Sequence, residues 1–482
     1  MEGSFFCVFR RALLFLSLHV LMICFMHQGY TYGVEGKITS RTVPVGSLLP
    51  STSCSPSTTK ASNRKSTLEV IHKHGPCSQL VQDQNPLNHT KILLQDESRV
   101  KWIQSKSSNS KDSLKASAVT LPVKSGITIG TGNYLVKVGL GTPKKDLTLI
   151  FDTGSPLTWT QCKPCVGSCY NQSDPIFNPS RSSSYANVSC ASTACSQLSS
   201  GQGGSRCNGT CPYSIRYGDD SFSIGFLATE KLTISPTEMI DNFEFGCGEN
   251  NQGLFGRAAG LIGLSDSNIS IVEQTAAKYD KYFSYCLPSS TSFTGHLTFG
   301  KDGRAPCSVS FTPLSTVPQN SEFYGISIIG ISVEGKPLSI PSTVFSNAGA
   351  VIDSGTVITR LPPTADGEYT TAPAVSLFDT CYDFSKESTV VIPSITFSFA
   401  EGVNIDLDHS GIFYVEDASH VCLAFAANAA DSDLVIYGNT QQRTFEVVYD
   451  VAGRKLGFGP NGCPKMDGPK RKLSVDMLNV RN

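Results

Sequence analysis

The chain has 482 residues, with 39 Lys and Arg against 40 Asp and Glu, and 17 cysteines. That length exceeds what one hydrophobic core usually supports, so two core-bearing lobes plus processed segments are expected. A charged fraction of 16% with 42 Gly and 26 Pro argues against a helical bundle and for many short strands joined by turns, an all-β class.

At the start, Arg10 and Arg11 precede an apolar run over 12–26, followed by small and polar residues near 29–33. This reads as a signal peptide over 1–32, with an uncleaved anchor as the alternative. The run is too short for a membrane span, and no stable membrane association is expected. Seventeen cysteines, bunched between Cys162 and Cys211, suit a disulfide-stapled secreted protein. A zinc site from Cys162, Cys165, Cys207 and Cys211 is the competing reading, and the export signal weighs against it. Asn-x-Ser/Thr sites at Asn88, Asn171, Asn187, Asn208 and Asn268 would accept glycans on that route.

The segment 33–124 is rich in Ser, Thr and Lys, with short apolar patches at 68–71 and 92–94, too little to fold alone. Residues 60–124 carry 11 Lys and Arg against 5 Asp and Glu, whereas 125–463 carry 19 against 31. Opposite signs point to a basic prosegment held on an acidic body, with a solvated linker as the alternative.

From residue 132 the texture changes to apolar segments bounded by Gly, Pro and Asn. Strands are expected at 134–138, 147–151, 226–234, 323–333 and 444–449, and one helix at 271–279. An internal repeat organises this body. Phe151-Asp152-Thr153-Gly154-Ser155 and Ile352-Asp353-Ser354-Gly355-Thr356 each end an apolar strand in Asp, a hydroxyl residue and Gly. Each has a later apolar-apolar-Gly partner, ending at Gly263 and Gly438. Two similar lobes are expected, 125–317 and 318–463, with the carboxylates meeting between them. The residues 464–482, with Lys470-Arg471-Lys472, read as a disordered tail.

A strand that ends in Asp and turns at Gly presents its carboxylate at a loop tip, where backbone N–H groups can bond its oxygens. Two such carboxylates about 3 Å apart cannot both ionise cheaply, so they share a proton and supply one base and one acid. One copy of the motif is a weak signal. Two copies in matching contexts are far more specific.

These residues resemble the pepsin-like aspartic proteases, and within them the plant nepenthesin-like group, from about residue 68 to Cys463. The phrase Ile71-His72-Lys73-His74-Gly75-Pro76-Cys77-Ser78 and Trp159 after the first motif belong to the same resemblance. It implies a bilobal pepsin-like β-fold with the cleft between pseudo-symmetric lobes, and a secreted aspartic endopeptidase made as a zymogen and working at acidic pH. Asp152 and Asp353 would be catalytic. Thr153 and Ser354 would cross-link the two loops, with Gly154 and Gly355 at their turns, and Ser155 and Thr356 would support the aspartates. Tyr213 to Asp219 resembles the flap, with Tyr217 closing over substrate. The cysteine set implies the pairs Cys162–Cys165, Cys169–Cys247, Cys190–Cys211, Cys195–Cys207, Cys286–Cys463 and Cys381–Cys422. Cys307 would be an unpaired buried thiol. Protein or peptide substrates and the chain's own prosegment are the expected partners of a monomer, in the apoplast or alternatively the vacuole or plastid.

One departure stands out. About 20 residues that the family places between Arg360-Leu361-Pro362-Pro363 and Asp379-Thr380-Cys381-Tyr382 are absent, about the size of an average helix with its turns. An inactive variant is therefore one alternative. A pepsin-like binding or inhibitor protein is another, against which both intact aspartates argue.

Other chemistries find little support. There is no Gly-x-Ser-x-Gly, no His-Glu-x-x-His, and Gly139-x-Gly141 lacks the third glycine of a dinucleotide loop. His296, His409 and His420 have no ligand spacing and are expected in solvent-facing loops, so no metal or other cofactor is expected. The acidic body argues against nucleic acid as a partner.

Overall fold

The structure is a computed structural model that describes residues 40–56, 65–80, 88–108, 134–198, 207–217, 221–253, 255–301, 309–316, 318, 322–363 and 377–463. The signal segment, Cys307, the flap tip at 218–220, the shortened connection at 364–376, the boundary near 124 and the C-terminal tail lie outside them.

Strands dominate, as the alternating texture predicts, in a bilobal pepsin-like all-β fold. A 14-stranded sheet carries the N-terminal lobe and extends through the last two described strands, Glu446–Asp450 and Lys455–Gly459. Sheets of five, four and three strands build the C-terminal lobe. The expected strands fall close to place: 134–138 lies within Tyr134–Leu140 (β3), and 147–151 within Lys145–Asp152 (β4). The segment 323–333 breaks into Tyr324–Ile326 and Ile328–Val333.

The repeat is visible as topology. The strand Gly260–Gly263 lies parallel to β4 with Gly263 opposite Asp152. In the second lobe Val435–Tyr437 lies parallel to Ala350–Ile352 with Tyr437 opposite Ile352. Each acidic strand thus ends beside its apolar-apolar-Gly partner. Buried neighbours on both faces, such as Ile150, Phe151, Val351 and Ile352, explain the unbroken apolar runs that lead into each Asp.

The segment upstream of residue 109 corrects the linker alternative. Ser40–Pro44 (β1) pairs antiparallel with Thr389–Pro393 of the C-terminal lobe. Thr67–His72 (β2) inserts into the large sheet between Thr294–Phe299 and β3, burying Leu68 and Val70. His89–Ser108 is a 20-residue helix (α1). The helix expected at 271–279 is instead two four-residue helices, Ile271–Gln274 and Ala276–Tyr279. Asn88 starts α1 by accepting the Lys91 N–H at 2.8 Å. Its buried residues are Ile92, Leu93, Gln95, Asp96, Arg99, Val100 and Ile103. Two charged groups interrupt the apolar face, so hydropathy alone does not reveal it.

Seven disulfides are present among the described residues, and four differ from the expected pairs. Instead of Cys162–Cys165 and Cys169–Cys247, the chain joins Cys162 to Cys247 and Cys165 to Cys169. Trp159–Gln161 (β5) runs parallel to Glu238–Gln252, and just past its end the Cys162 N–H donates to the Gly248 carbonyl at 2.7 Å, which leaves the Cα atoms of Cys162 and Cys247 5.3 Å apart. Instead of Cys190–Cys211 and Cys195–Cys207, it joins Cys190 to Cys207 and Cys195 to Cys211. Ser192 caps the short helix Thr193–Gln197, and that turn holds Cys195 where it meets the buried Cys211. Cys286–Cys463 and Cys381–Cys422 are joined, and Cys54–Cys77 staples the upstream segment.

His296 also departs from the expected solvent-facing loop. It is buried on the strand Thr294–Phe299 and contacts Glu446 at 2.8 Å. His420 is exposed, and His409 is half-buried beside Asp408.

Candidate active site

Asp152 ends β4 and Asp353 follows Ala350–Ile352, and both side chains are fully buried at the junction of the lobes. Each carboxylate is held in the same way. Asp152 Oδ1 accepts the Gly154 N–H at 2.9 Å and Oδ2 accepts the Ser155 hydroxyl at 2.6 Å. Asp353 Oδ1 accepts the Gly355 N–H at 3.1 Å and Oδ2 accepts the Thr356 hydroxyl at 2.5 Å. The two loops then lock across the lobe boundary. The Thr153 N–H donates to Ser354 Oγ at 3.0 Å, and the Ser354 N–H donates to Thr153 Oγ1 at 2.9 Å.

Glycine is needed at both turns for space. A Cβ on Gly355 would stand 2.6 Å from Asp152 Oδ1, and one on Gly154 would stand 2.8 Å from Asp353 Oδ1. Each glycine therefore lets the opposite lobe's carboxylate approach.

Behind the loops lies a layer that the sequence reading missed. Asn439 donates to the Ser354 carbonyl at 3.0 Å, and Gln442 donates to the Asp353 carbonyl at 3.2 Å. Their only sequence signal is a polar run directly after the apolar strand that ends at Tyr437.

The second missed group sits on the dyad itself. Arg99 of α1, 3% exposed, donates from Nη2 and Nη1 to Asp152 Oδ1 and Oδ2 at 2.7 and 2.9 Å. It also donates from Nε and Nη2 to Asp353 Oδ2 and Oδ1, both at 2.7 Å. Burial alone would push the Asp353 carboxyl up. The Arg99 charge, with hydrogen bonds from Arg99, Thr356 and Gly355, outweighs it and holds the group below the usual carboxylate range. Burial opposes the Arg99 charge in turn, and the two aspartates raise its pKa despite that.

Three further α1 contacts flank this fork. Asp96 accepts the N–H groups of Val357 and Ile358 at 2.5 and 3.1 Å and pairs with Arg360 at 3.1 Å. Gln104 exchanges two hydrogen bonds with the Leu434 backbone, at 2.7 and 2.8 Å. Trp102 meets Phe323 edge to face at 6.0 Å. The helix thus lies along the cleft, fixed to the C-terminal lobe on both sides of Arg99.

Tyr217 lies at the end of the hairpin formed by Pro212–Arg216 and Phe222–Ser235. Its hydroxyl accepts the Trp159 indole N–H at 2.7 Å, and its ring meets Phe255 edge to face. Asn171, Asn187, Asn208 and Asn268 are all exposed.

Known proteins resemble the chain in sequence and in fold. The families described as xylanase inhibitor N-terminal and xylanase inhibitor C-terminal match residues 134–301 and 323–460. An aspartyl protease family protein of Arabidopsis thaliana is 53% identical over 463 residues, covering 92% of this chain and 97% of its own. Aspartic proteinase nepenthesin-2 of Nepenthes gracilis is 36% identical over 366 residues, covering 71% of this chain and 80% of its own. Among solved structures, basic 7S globulin from soybean superimposes with a TM-score of 0.53 at 19% identity, covering 68% of this chain and 91% of its own, which speaks to the fold alone.

Proposed function

The chain belongs to the plant pepsin-like aspartic proteases, and from that premise we propose that it is an aspartic endopeptidase held latent by its own α1 helix. The observation that carries the reading is the Arg99 fork, a guanidinium spread across both members of an otherwise complete carboxylate pair.

With α1 gone, two buried carboxylates would face each other without a countercharge. Such a pair keeps one proton between its members, as is established for the aspartic-protease dyad. The ionised carboxyl takes a proton from a water held between them, and that water attacks the substrate carbonyl. The protonated partner donates to the developing oxyanion. The N–H bond on one oxygen and the hydroxyl bond on the other hold each carboxylate in the orientation that faces the water. Tyr217, anchored by Trp159, closes over the peptide from the flap side.

Acid favours release through Arg99. Docking depresses the Asp353 pKa, so this part of the docking energy is present above the free carboxylate value and is lost as pH falls through the depressed one. The seven disulfides among the described residues and the five exposed glycan acceptor sites support an oxidising secretory route. Among the described residues no helix is long and apolar enough to cross a membrane.

The test is acid incubation of the full chain followed by casein hydrolysis. Cleavage should be blocked by pepstatin and abolished in Asp152→Ala; unchanged turnover in that variant would sink the dyad assignment. A second reading, a pepsin-like binding protein without catalysis, takes its support from the description of the matched families. Absence of turnover after α1 has been cleaved away would favour it.

A further inference from the structure

The guanidinium of Arg360 is 1% exposed, and its carboxylate partners come from the helix that must leave. Its own lobe gives it the Ile358 carbonyl, at 3.1 Å from Nη1. Nη2 points the other way, to Asp96 at 3.1 Å and to Glu97 at 3.2 Å. The Asp96 carboxylate also receives the N–H groups of Val357 and Ile358. Three donors therefore converge on one carboxylate in the wall of the cleft, and all three belong to the body, not to α1.

Removal of α1 leaves the Val357 and Ile358 N–H groups without their Asp96 acceptor, and leaves the Arg360 cation with the Ile358 carbonyl but no carboxylate. A buried charge and buried N–H groups in that condition are costly until an anion or water restores their bonds. The site is shaped for a carboxylate because α1 already fills it with one. Asp96 and Arg99 are three residues apart on α1, so they are neighbours on one face, with Cβ atoms about 5–6 Å apart. Arg99 marks the dyad. An extended peptide advances about 3.3 Å per residue, so a side chain reaching the Asp96 position belongs to a residue about two or three from the cleaved bond.

We propose that Arg360 with the N–H groups of Val357 and Ile358 forms a carboxylate-binding subsite of the working cleft, selecting peptides with Asp or Glu about two or three residues from the scissile bond. This rests on the proteolytic reading. Arg360 is then a specificity-determining residue, and α1 blocks the cleft by imitating an acidic substrate while its arginine neutralises the dyad.

The test uses the acid-processed chain and pairs of peptides that differ only by Glu or Gln, scanned through the positions on both sides of one cleaved bond. One position should show kcat/KM about tenfold or more higher for Glu, the scale of a charge-assisted hydrogen bond. Arg360→Gln should collapse that ratio towards one. The wild-type peptide ratios need no variant to fold. Equal kcat/KM for every pair, with casein cleavage intact, overturns the subsite and leaves the protease reading standing. A chain that cleaves neither peptides nor casein contradicts the protease reading instead. Anisotropy of labelled Glu and Gln peptides on the Asp96→Ala/Arg99→Ala double variant, which removes the resident carboxylate, then decides the subsite: tighter Glu binding upholds it, and equal binding overturns it.

Discussion

Arg99 and Asp353 are 254 positions apart in sequence and meet through two charge-assisted contacts of 2.7 Å, Nε to Oδ2 and Nη2 to Oδ1. The same guanidinium forks onto Asp152, so one side chain of the upstream segment satisfies both carboxylates at once. Removing one partner of a buried ion pair typically costs about 3–5 kcal/mol, because the other charge is left uncompensated. Arg99→Ala should therefore loosen α1, and processing should begin at a higher pH and faster than in the wild type. Gel analysis of timed incubations across pH reads this directly. An Arg99→Ala chain that stays intact as long as the wild type would show that the latch lies elsewhere.

Three histidines of the upstream segment supply a second acid-sensitive contribution. His72 and His74 are depressed by burial first, and then by cationic neighbours: His74, Arg443 and Lys73 around His72, and Lys73, His89 and Lys91 around His74, which falls to about 3. His89 is lowered by burial, against the pull of Glu416 and Asp417. The free groups would titrate near 6.5. Docking thus holds them neutral, and its energy is full above about 6.5 and falls as the pH drops below that value. Asp96 acts in the opposite sense, because burial raises its pKa and acid then favours the docked form. The histidines predict that release starts well above the ordinary carboxylate range. Replacing His72 and His74 together by Gln should shift the half-processing pH downward; an unchanged midpoint would remove them from the switch.

Gly355 carries a third expectation. A Cβ there would lie 2.3 Å from the Arg99 guanidinium and 2.6 Å from Asp152 Oδ1, so Gly355→Ala must push the two lobes' loops apart. Shifts near 1 Å in catalytic geometry can cost about 100-fold in rate. Casein turnover should fall by about that factor while α1 docking also weakens, leaving a chain that is cut by added trypsin near α1 yet cleaves little itself. Wild-type kcat in this variant would contradict the packing argument.

The part of the site that was legible in the sequence is the part built locally. Asp152 and Asp353 each close an apolar strand and turn at Gly, and the repeated apolar-apolar-Gly strings locate the parallel strands beside them. Arg99 was not legible for the opposite reason. Its helix has a mixed face, Ile92, Leu93, Asp96, Arg99, Val100 and Ile103, whose meaning comes from a surface far along the chain. Lone upstream patches such as Leu68 and Val70 look too small for a core because the body supplies the rest of it. Asn439 and Gln442 look like loop polar residues until the Ser354 and Asp353 carbonyls are placed above them.

The cysteines give the last expectation and show the same division between local and distant information. Family resemblance implies the pair Cys162–Cys165, but the chain leaves β5 alongside Glu238–Gln252, where the Cys162 N–H donates to the Gly248 carbonyl and the side chain meets Cys247. Cys162 and Cys247 then have Cα atoms 5.3 Å apart, within the usual disulfide range, and Cys165 and Cys169 close their own small loop at 6.1 Å. Digestion without reduction, followed by mass spectrometry, should recover a peptide near residue 162 linked to one near 247. Replacing Cys247 by Ser should cost more stability than replacing Cys169, because its bridge closes 85 residues rather than 4. In the chain-entropy view the longer loop is worth about 2.7 kcal/mol more. Recovery of a peptide that bridges Cys169 to Cys247 would instead reinstate the pairing implied by family resemblance, and with it a different path for the chain after β5.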